Sequence, residues 1–232
     1  MKHIISLITC LLVGLFCVYG QDTEIKKEYT ESFDLDSCTF KTTGKNMYFV
    51  LEPGFQLTLQ GVDGKDSIKL IITVLNETKK IGNIETRIVE ENETVNGKTV
   101  EISRNYFAFC VQTSSVFYFG EEVDIYKDGK IVSHDGAWVA EGKNKAGIGM
   151  PGLILLGSRY YQEIAPGIAM DRAEIISTSE ILKTPAGEFI NCLKTEETNA
   201  IKPKEKEYKI YGQGIGLLKD EELLLVKYGY MK

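Results

Sequence analysis

The sequence predicts an all-β fold, a single antiparallel β-barrel or β-sandwich domain built from successive hairpins. Apolar and polar residues alternate in short runs, for example over residues 55–59, as they do in a half-buried strand. Asp-Gly or Asn-Gly pairs at 63–64, 96–97 and 128–129 separate such runs, and both residue types accept the backbone of a tight hairpin turn. No segment after residue 20 has the periodicity of an amphipathic helix.

The first twenty residues have the order of a secretory signal. Lys2 and His3 form a basic start, residues 4–18 are almost wholly apolar, and the small Gly20 precedes the polar Gln21. The apolar run is shorter than the ~20 residues that a transmembrane helix needs. We therefore expect residues 1–20 to be a cleaved signal peptide, with an uncleaved anchor as the alternative. The mature protein would be secreted or periplasmic and would have no transmembrane span.

The chain is acidic, with a formal net charge of −6. Removing residues 1–20 removes Lys2 and no acid, which takes the charge from −6 to −7. Phosphate backbones and anionic lipids attract basic faces. The charge therefore argues against nucleic acid as a partner and against binding to anionic lipid by charge.

The pattern places the β domain at residues 46–232, after a polar arm at 21–45 that we expect to be mobile or an edge segment. Predicted strands follow one another in this domain, separated by turns rich in Gly, Pro, Asp and Asn. Their positions are 47–51, 55–59, 68–75, 84–90, 99–103, 105–111, 116–119, 159–162, 173–183, 188–195, 207–211 and 223–228, together with a hairpin over 117–139 that turns at 128–129. Residues 141–158 are rich in glycine and leucine and predict an apolar loop that caps the domain or meets a ligand or partner.

Three cysteines remain after the signal, Cys38, Cys110 and Cys192. An oxidising compartment permits one disulfide, and the odd number leaves one thiol free. The spacing does not select the pair. No CxxC motif and no close Cys/His cluster is present, so the sequence predicts no metal site.

The stretch 117–139 concentrates the ionisable candidates. Glu121, Glu122 and Asp124 lie among aromatic residues, and His134 is the one histidine outside the signal. Alternation along a strand puts Glu122 and Asp124 on one face, where they could act as acid and base with His134 as a weak further candidate. A solvated strand face with a surface histidine is the simpler interpretation. No nucleophile motif accompanies them.

Aromatic residues are dense in the middle third of the chain. A β-barrel often encloses an apolar pocket, and aromatics can line one or can simply fill the core. If a pocket exists, the candidate ligand-binding residues are Tyr118, Tyr126, Trp138, Tyr160 and Tyr161.

Four stretches stand out by their order and spacing within residues 46–230, namely FYFGEEVDIYKDGKIVSHDGAWVAEG, YYQEIAPGIAMDRAEI, TPAGEFINCLKTEE and YGQGIGLLKDEELLLVKYG. In these stretches the chain resembles a family of bacterial secreted β-rich proteins that has no assigned function. The resemblance implies an exported β-rich domain and implies no activity, cofactor or catalytic residue.

Together these observations predict an exported, non-enzymatic β-domain without a cofactor. Its partner would be an apolar or amphipathic small molecule or an envelope protein, and it could serve as an envelope or extracellular component. Two alternatives remain. One is a carboxylate-based hydrolase using the central hairpin, and the other is a protein-interaction module that uses an exposed sheet edge.

Overall fold

A computed structural model describes residues 28–231, and this part of the chain is almost entirely β-structure, as the sequence predicts. The predicted signal peptide lies outside the described residues. One 3-10 turn, Leu35–Ser37, precedes the strands. The strands are β1 Phe40–Lys41, β2 Gly44–Lys45, β3 Val50–Leu51, β4 Phe55–Asp63, β5 Asp66–Ile81, β6 Ile84–Val95, β7 Lys98–Cys110, β8 Val116–Lys127, β9 Lys130–Ser133, β10 Trp138–Val139, β11 Lys145–Met150, β12 Arg159–Tyr161, β13 Glu163–Ile164, β14 Asp171–Thr184, β15 Gly187–Asn199, β16 Lys206–Gly212, β17 Gly216–Asp220 and β18 Leu223–Tyr230.

The main sheet is antiparallel and nearly closed into a barrel. Its strand order is β12-β14-β15-β16-β17-β18-β4-β5-β6-β7-β8-β11-β13. The two ends of this order, β12 and β13, are consecutive in the chain. β12 pairs with β14 through Tyr160 and Ala173, and β13 pairs with β11 through Glu163 and Ala146. Residues 159–164 therefore bridge the sheet ends. Of the two predicted architectures, the structure is the barrel and not the sandwich.

The three predicted Gly-containing turns are confirmed. They connect β4 to β5, β6 to β7 and β8 to β9. At the second turn Asn96 and Gly97 have φ of 52° and 76°, a left-handed backbone that Asn and Gly accept more readily than other residues. The sequence underestimates strand length, since β5 runs for 16 residues where a shorter strand is predicted.

The glycine-rich segment predicted as a loop contains a strand, β11, and this part of the loop prediction is wrong. A Cβ at Gly147 would lie 2.4 Å from the Gln162 carbonyl oxygen, and one at Gly149 would lie 2.9 Å from the Phe107 ring. The glycines thus permit close approach between β11 and the bridging segment. Only the rest of the segment is irregular, and there Ile154 packs on the core while Leu153, Leu155 and Leu156 are exposed.

The end of the barrel near the 184–187 turn is plugged by residues 46–51. Tyr48 and Leu51 are buried in the main core. The Tyr48 hydroxyl donates to the Asn191 carbonyl at 3.2 Å, and the Asn46 side chain donates to the Ser114 carbonyl at 3.2 Å. These contacts fix the plug between β15 and the β7–β8 turn.

The described part of the predicted polar arm packs against the outside of the barrel. β1 pairs with the end of β7, and a disulfide joins Cys38 to Cys110, while Cys192 is free and buried. Phe40 meets Phe117 and Phe119 edge-on, with ring centroids 5.6 and 5.3 Å apart. This cluster gives β8 an apolar outer face in its first half.

Arg87 stabilises the irregular part of the β5–β6 ladder. The pairing register shifts between Val74 and Thr78, and the freed carbonyl of Asn76 accepts a hydrogen bond from the Arg87 guanidinium at 2.6 Å. Another guanidinium nitrogen donates to the Thr42 carbonyl at 3.0 Å. Arg87 is 5% exposed, and burial lowers its pKa. Arg87 thus connects the irregular part of β5 to the outer arm by hydrogen bonds.

Replacing Arg87 with Met should lower the free energy of unfolding by about 2 kcal/mol, because the bonded carbonyls lose a charged donor. Arg104→Met is the matched control on the neighbouring strand. Arg104 pairs with Glu90 and Asp124 at 3.3 and 3.1 Å but stays 32% exposed, so its loss should cost below about 1 kcal/mol. Urea denaturation measures both, and equal losses would contradict this role for Arg87.

Candidate functional site

Two adjoining cavities lie within the barrel. The inner cavity has a volume of about 280 Å³, and the second has a volume of about 400 Å³. Glu91 and Asp220 line both. The second cavity is bordered by Asp63 and Glu222, which belong to hairpin turns at the end opposite the plug. We call it the acidic mouth, and it leads from these turns to the inner cavity.

One wall of the inner cavity is apolar. Its side chains come from the plug and from inward positions of β4 to β7, β11 and β17. They include Phe49, Val50, Phe55, Leu57, Ile72, Val74, Val89, Phe107 and Leu217. Because these residues alternate with outward positions along each strand, closure of the sheet brings them to face one another.

The remaining lining of the inner cavity is largely acidic, and one acid, Glu91, lies on the apolar side, where it pairs with Ile72. Lys209 is the one basic side chain that lines it among residues 28–231. Its Nζ lies 3.2 Å from Glu197 Oε2 and 3.8 Å from Asp220 Oδ2, and the Glu197 carboxylate holds the pKa of Lys209 well above its usual value. Six acidic residues line this cavity, namely Glu91, Glu121, Glu163, Asp171, Glu197 and Asp220.

Burial raises the pKa of four of these carboxyl groups, one of which is Asp220. It raises the pKa of Glu91 and of Glu121 to about 7. It raises the pKa of Glu163 to about 9, with further contributions from the Asp171 and Glu121 carboxylates. The interior therefore holds carboxyl groups that gain and lose protons near neutral pH.

Glu163 and Trp138 are each 4% exposed. Glu163 Oε2 and Trp138 Nε1 have no hydrogen-bond partner among the described residues. Buried polar atoms normally have partners. The Trp138 indole and the Asp171 carboxyl lie close enough to Glu163 to influence its pKa, and Trp138 does not line the inner cavity, so Glu163 Oε2 is the atom to which a molecule in the cavity can donate a hydrogen bond.

The acidic mouth adds carboxylates and no basic side chain among the described residues. Burial raises the pKa of Glu93, Glu101 and Glu207, and neighbouring carboxylates contribute for Glu93 and Glu207. The acidic residues that it adds to the shared Glu91 and Asp220 are Asp63, Glu93, Glu101, Glu207, Glu221 and Glu222. A path with one sign of charge and low-dielectric walls attracts positively charged molecules.

A bulge in β8 decides which acids face the interior. Asn105 pairs with Glu121 and Phe107 pairs with Tyr118, so Phe119 and Gly120 together oppose a single residue of β7. Gly120 has φ of 140°, a value suited to glycine, and a Cβ there would lie 2.5 Å from the Trp138 carbonyl oxygen. Tyr118 and Glu121 consequently both line the inner cavity although they are three positions apart.

The predicted catalytic candidates therefore lie on the outer face. Glu122 pairs with Lys79 at 2.9 Å. His134 Nδ1 lies 3.0 Å from Asp124 Oδ1 and 2.8 Å from the Val123 carbonyl, and Asp124 also pairs with Arg104. The His134 side chain is 68% exposed. The structure thus brings His134 to Asp124 but keeps both away from the cavity.

The predicted ligand-binding aromatics lie at the cavity, in the main core and outside both. Tyr118 lines the inner cavity, and Trp138 packs edge-on against it with ring centroids 5.4 Å apart. Tyr160 is buried in the main core. Tyr126 is on the outer side of β8 by strand alternation, and Tyr161 packs against Tyr29, with centroids 6.1 Å apart.

Sequence reasoning missed the acids on the other strands. A signal for three of them was present, because Glu91 is two positions from the buried Val89 and so shares its face. The same spacing relates Asp220 to the buried Leu218, and Glu197 to the buried Leu193 and Thr195. For Glu163, in a strand of two residues, no such alternation is present.

Comparisons place the chain in no known group, since no family model, curated protein or solved structure matches it. The resemblance to a secreted bacterial family stays a prediction. Within residues 28–231 no helix has the length and apolar character required to cross a membrane, and no three His, Cys, Asp or Glu side chains are arranged to hold a metal ion.

Proposed function

We propose that this protein is a non-enzymatic binding protein that holds a small amphipathic molecule inside its barrel. The observation that carries the proposal is the inner cavity, whose lining combines apolar side chains with carboxyl groups. Small-molecule sites typically combine a mostly apolar lining with a few polar groups that orient the ligand. The free end of the ligand would point along the acidic mouth.

The disulfide supports the proposed export. Cys38 and Cys110 are 72 residues apart, and their bond attaches the outer arm to β7. Such bonds persist in secreted and periplasmic proteins and are rare in reducing compartments. A secreted or periplasmic carrier, or an envelope component that retains its ligand, is the role that these features favour.

The two alternative functions have less geometric support. A hydrolase based on Glu122, Asp124 and His134 would place its chemistry on the open outer face, where Glu122 and Asp124 are already in ion pairs. An interaction module would need an exposed sheet edge. Residues 159–164 instead form both end strands of the sheet order and so join its two edges.

Ligand binding is tested by native mass spectrometry of the purified protein together with titration of the uncharged dye phenylnaphthylamine. The dye should bind with a fluorescence increase. Filling the cavity with Val89→Phe or Ile72→Phe should weaken this binding by at least roughly tenfold, because the added ring occupies ligand space.

Val132→Phe is the control for those variants, since Val132 is 57% exposed and lies outside both cavities. It should leave dye binding unchanged. Absence of dye binding, or equal binding by all three variants, would contradict the proposed function.

A further inference from the structure

The charge on the cavity walls is strongly unbalanced. Lys209, the one base lining the inner cavity among residues 28–231, is already paired with Glu197 and Asp220. Glu91, Glu121 and Glu163 make no ion pair with any described residue. The interior therefore holds carboxyl groups that no cation of this part of the chain pairs with; near pH 7 Glu91 and Glu121 are partly ionised, while Glu163 is protonated until a cation lowers its pKa.

Glu163 provides a second indication, because one of its carboxyl oxygens is unsatisfied although Trp138 and Asp171 lie beside it. Its side chain lines the inner cavity, is 4% exposed, and has one carboxyl oxygen with no hydrogen bond to a described residue. Leaving a buried acceptor unsatisfied costs about 1–3 kcal/mol, so proteins rarely keep one without a reason. A ligand N–H group in the cavity would satisfy this oxygen.

Aromatic rings lie next to these acids. Phe107 and Tyr118 stack with centroids 4.7 Å apart, and Phe49 lies 5.2 Å from Phe107. The Tyr118 hydroxyl donates to Asn105 at 2.6 Å, which fixes this ring in the cavity wall. Aromatic faces attract positively charged nitrogen, and nearby carboxylates strengthen that preference.

We propose that the molecule held in the cavity is an organic cation, an amine-type nitrogen joined to an apolar body. This rests on the proposed binding function and specifies its ligand class. The apolar wall receives the body, and the nitrogen lies among Glu121, Glu163 and the Tyr118 ring. Anionic amphiphiles such as fatty acids are repelled by the same walls.

Protonation provides an internal check on this assignment. Glu121 faces Tyr118 and the carboxyl groups of Glu91, Glu101 and Asp171. The pKa values of Glu91 and Glu121 are about 7, so both are partly protonated in the empty protein at neutral pH. A bound cation favours their ionised forms. Amine affinity should therefore rise between about pH 6 and pH 8, and binding near pH 7 should release protons.

The test uses three probes of similar shape, naphthylmethylamine, naphthylmethanol and naphthoate, which are positive, neutral and negative. Isothermal titration of the full mature protein should show the amine binding at least roughly tenfold more tightly than the alcohol, with naphthoate the weakest. Repeating the amine titration in buffers of different ionisation enthalpy measures proton release.

Glu121→Gln and Glu163→Gln should each weaken amine binding by at least roughly fivefold while leaving alcohol binding unchanged. Glu122→Gln is the matched control. It alters the adjacent residue, which points outward and pairs with Lys79, and should change neither affinity.

Each outcome separates the two proposals. If none of the three probes binds, the binding function itself is wrong. If the alcohol or naphthoate binds as tightly as the amine, the cavity is a binding site but the cation assignment is overturned. The assignment also fails if Glu121→Gln and Glu163→Gln both retain wild-type amine affinity, or if Glu122→Gln causes the same loss.

Discussion

Replacing Glu121 with Gln is expected to stabilise the protein at alkaline pH by about 3 kcal/mol. Burial raises the pKa of Glu121 to about 7, from 4.5 in an exposed carboxyl group. Between those pH values the folded state binds more protons than the unfolded state. The free energy of unfolding therefore falls by about 1.4 kcal/mol per pH unit as the pH rises through this window. Glutamine avoids the cost of ionising this buried group.

Urea denaturation at about pH 5 and about pH 8 measures the effect. The variant should gain about 3 kcal/mol at the higher pH and little at the lower one. Glu122→Gln is the control on the neighbouring position. It loses an exposed ion pair with Lys79 and should be destabilised by below about 1 kcal/mol. A gain that is the same at both pH values would contradict the explanation by protonation.

Removing the disulfide is expected to lower the free energy of unfolding by at least as much as Glu121→Gln raises it. The bond between Cys38 and Cys110 closes a long segment, with a sequence separation of 72. On the chain-entropy account, a loop of this size contributes about 4 kcal/mol by restricting the unfolded chain. The double substitution Cys38→Ala and Cys110→Ala should lower the free energy of unfolding by that amount.

Comparison with chemical reduction isolates the contribution of the bond. Wild-type protein in reducing buffer should lose about the same 4 kcal/mol, while the double variant should be insensitive to reductant. Cys192, which is free, should make no difference to this comparison. If reduction leaves the wild-type free energy of unfolding unchanged, the bond does not stabilise the fold in this way.

The acidic interior and the stability predictions have one physical origin. Glu163 is buried, and Glu91 and Glu121 are half-buried, beside other carboxylates, so keeping them ionised costs stability. Sites that bind a ligand are often less stable than a purely structural arrangement would be. A bound organic cation would offset this cost, and we therefore expect ligand and alkaline pH to have opposite effects on stability.

Local sequence predicted the all-β class because its signals act over a few residues. Asn96-Gly97 and Asp128-Gly129 form turns because both members of each pair adopt positive φ. Between the turns, alternating residues indicate strands, since successive side chains point to opposite faces. These features do not depend on which strands become neighbours.

The identity of the site depended on tertiary structure. The bulge at Gly120 reverses the alternation in β8, so that Glu121 faces the cavity. Glu122 and Asp124 share one face, as the periodicity predicts, but that face points outward. Cys38 meets Cys110 only because the outer arm crosses β7.

The sequence by itself determined that this protein is an all-β chain with hairpin turns at defined positions and an acidic net charge. Tertiary structure decided barrel over sandwich, the disulfide pair and the acids that share the cavity. Closure brings Glu91, Glu163 and Asp220 from distant strands to one interior, where burial and then neighbouring carboxylates raise their pKa values. Carboxyl groups become neighbours and lose water only when the sheet closes, so the sequence pattern alone does not predict their raised pKa values.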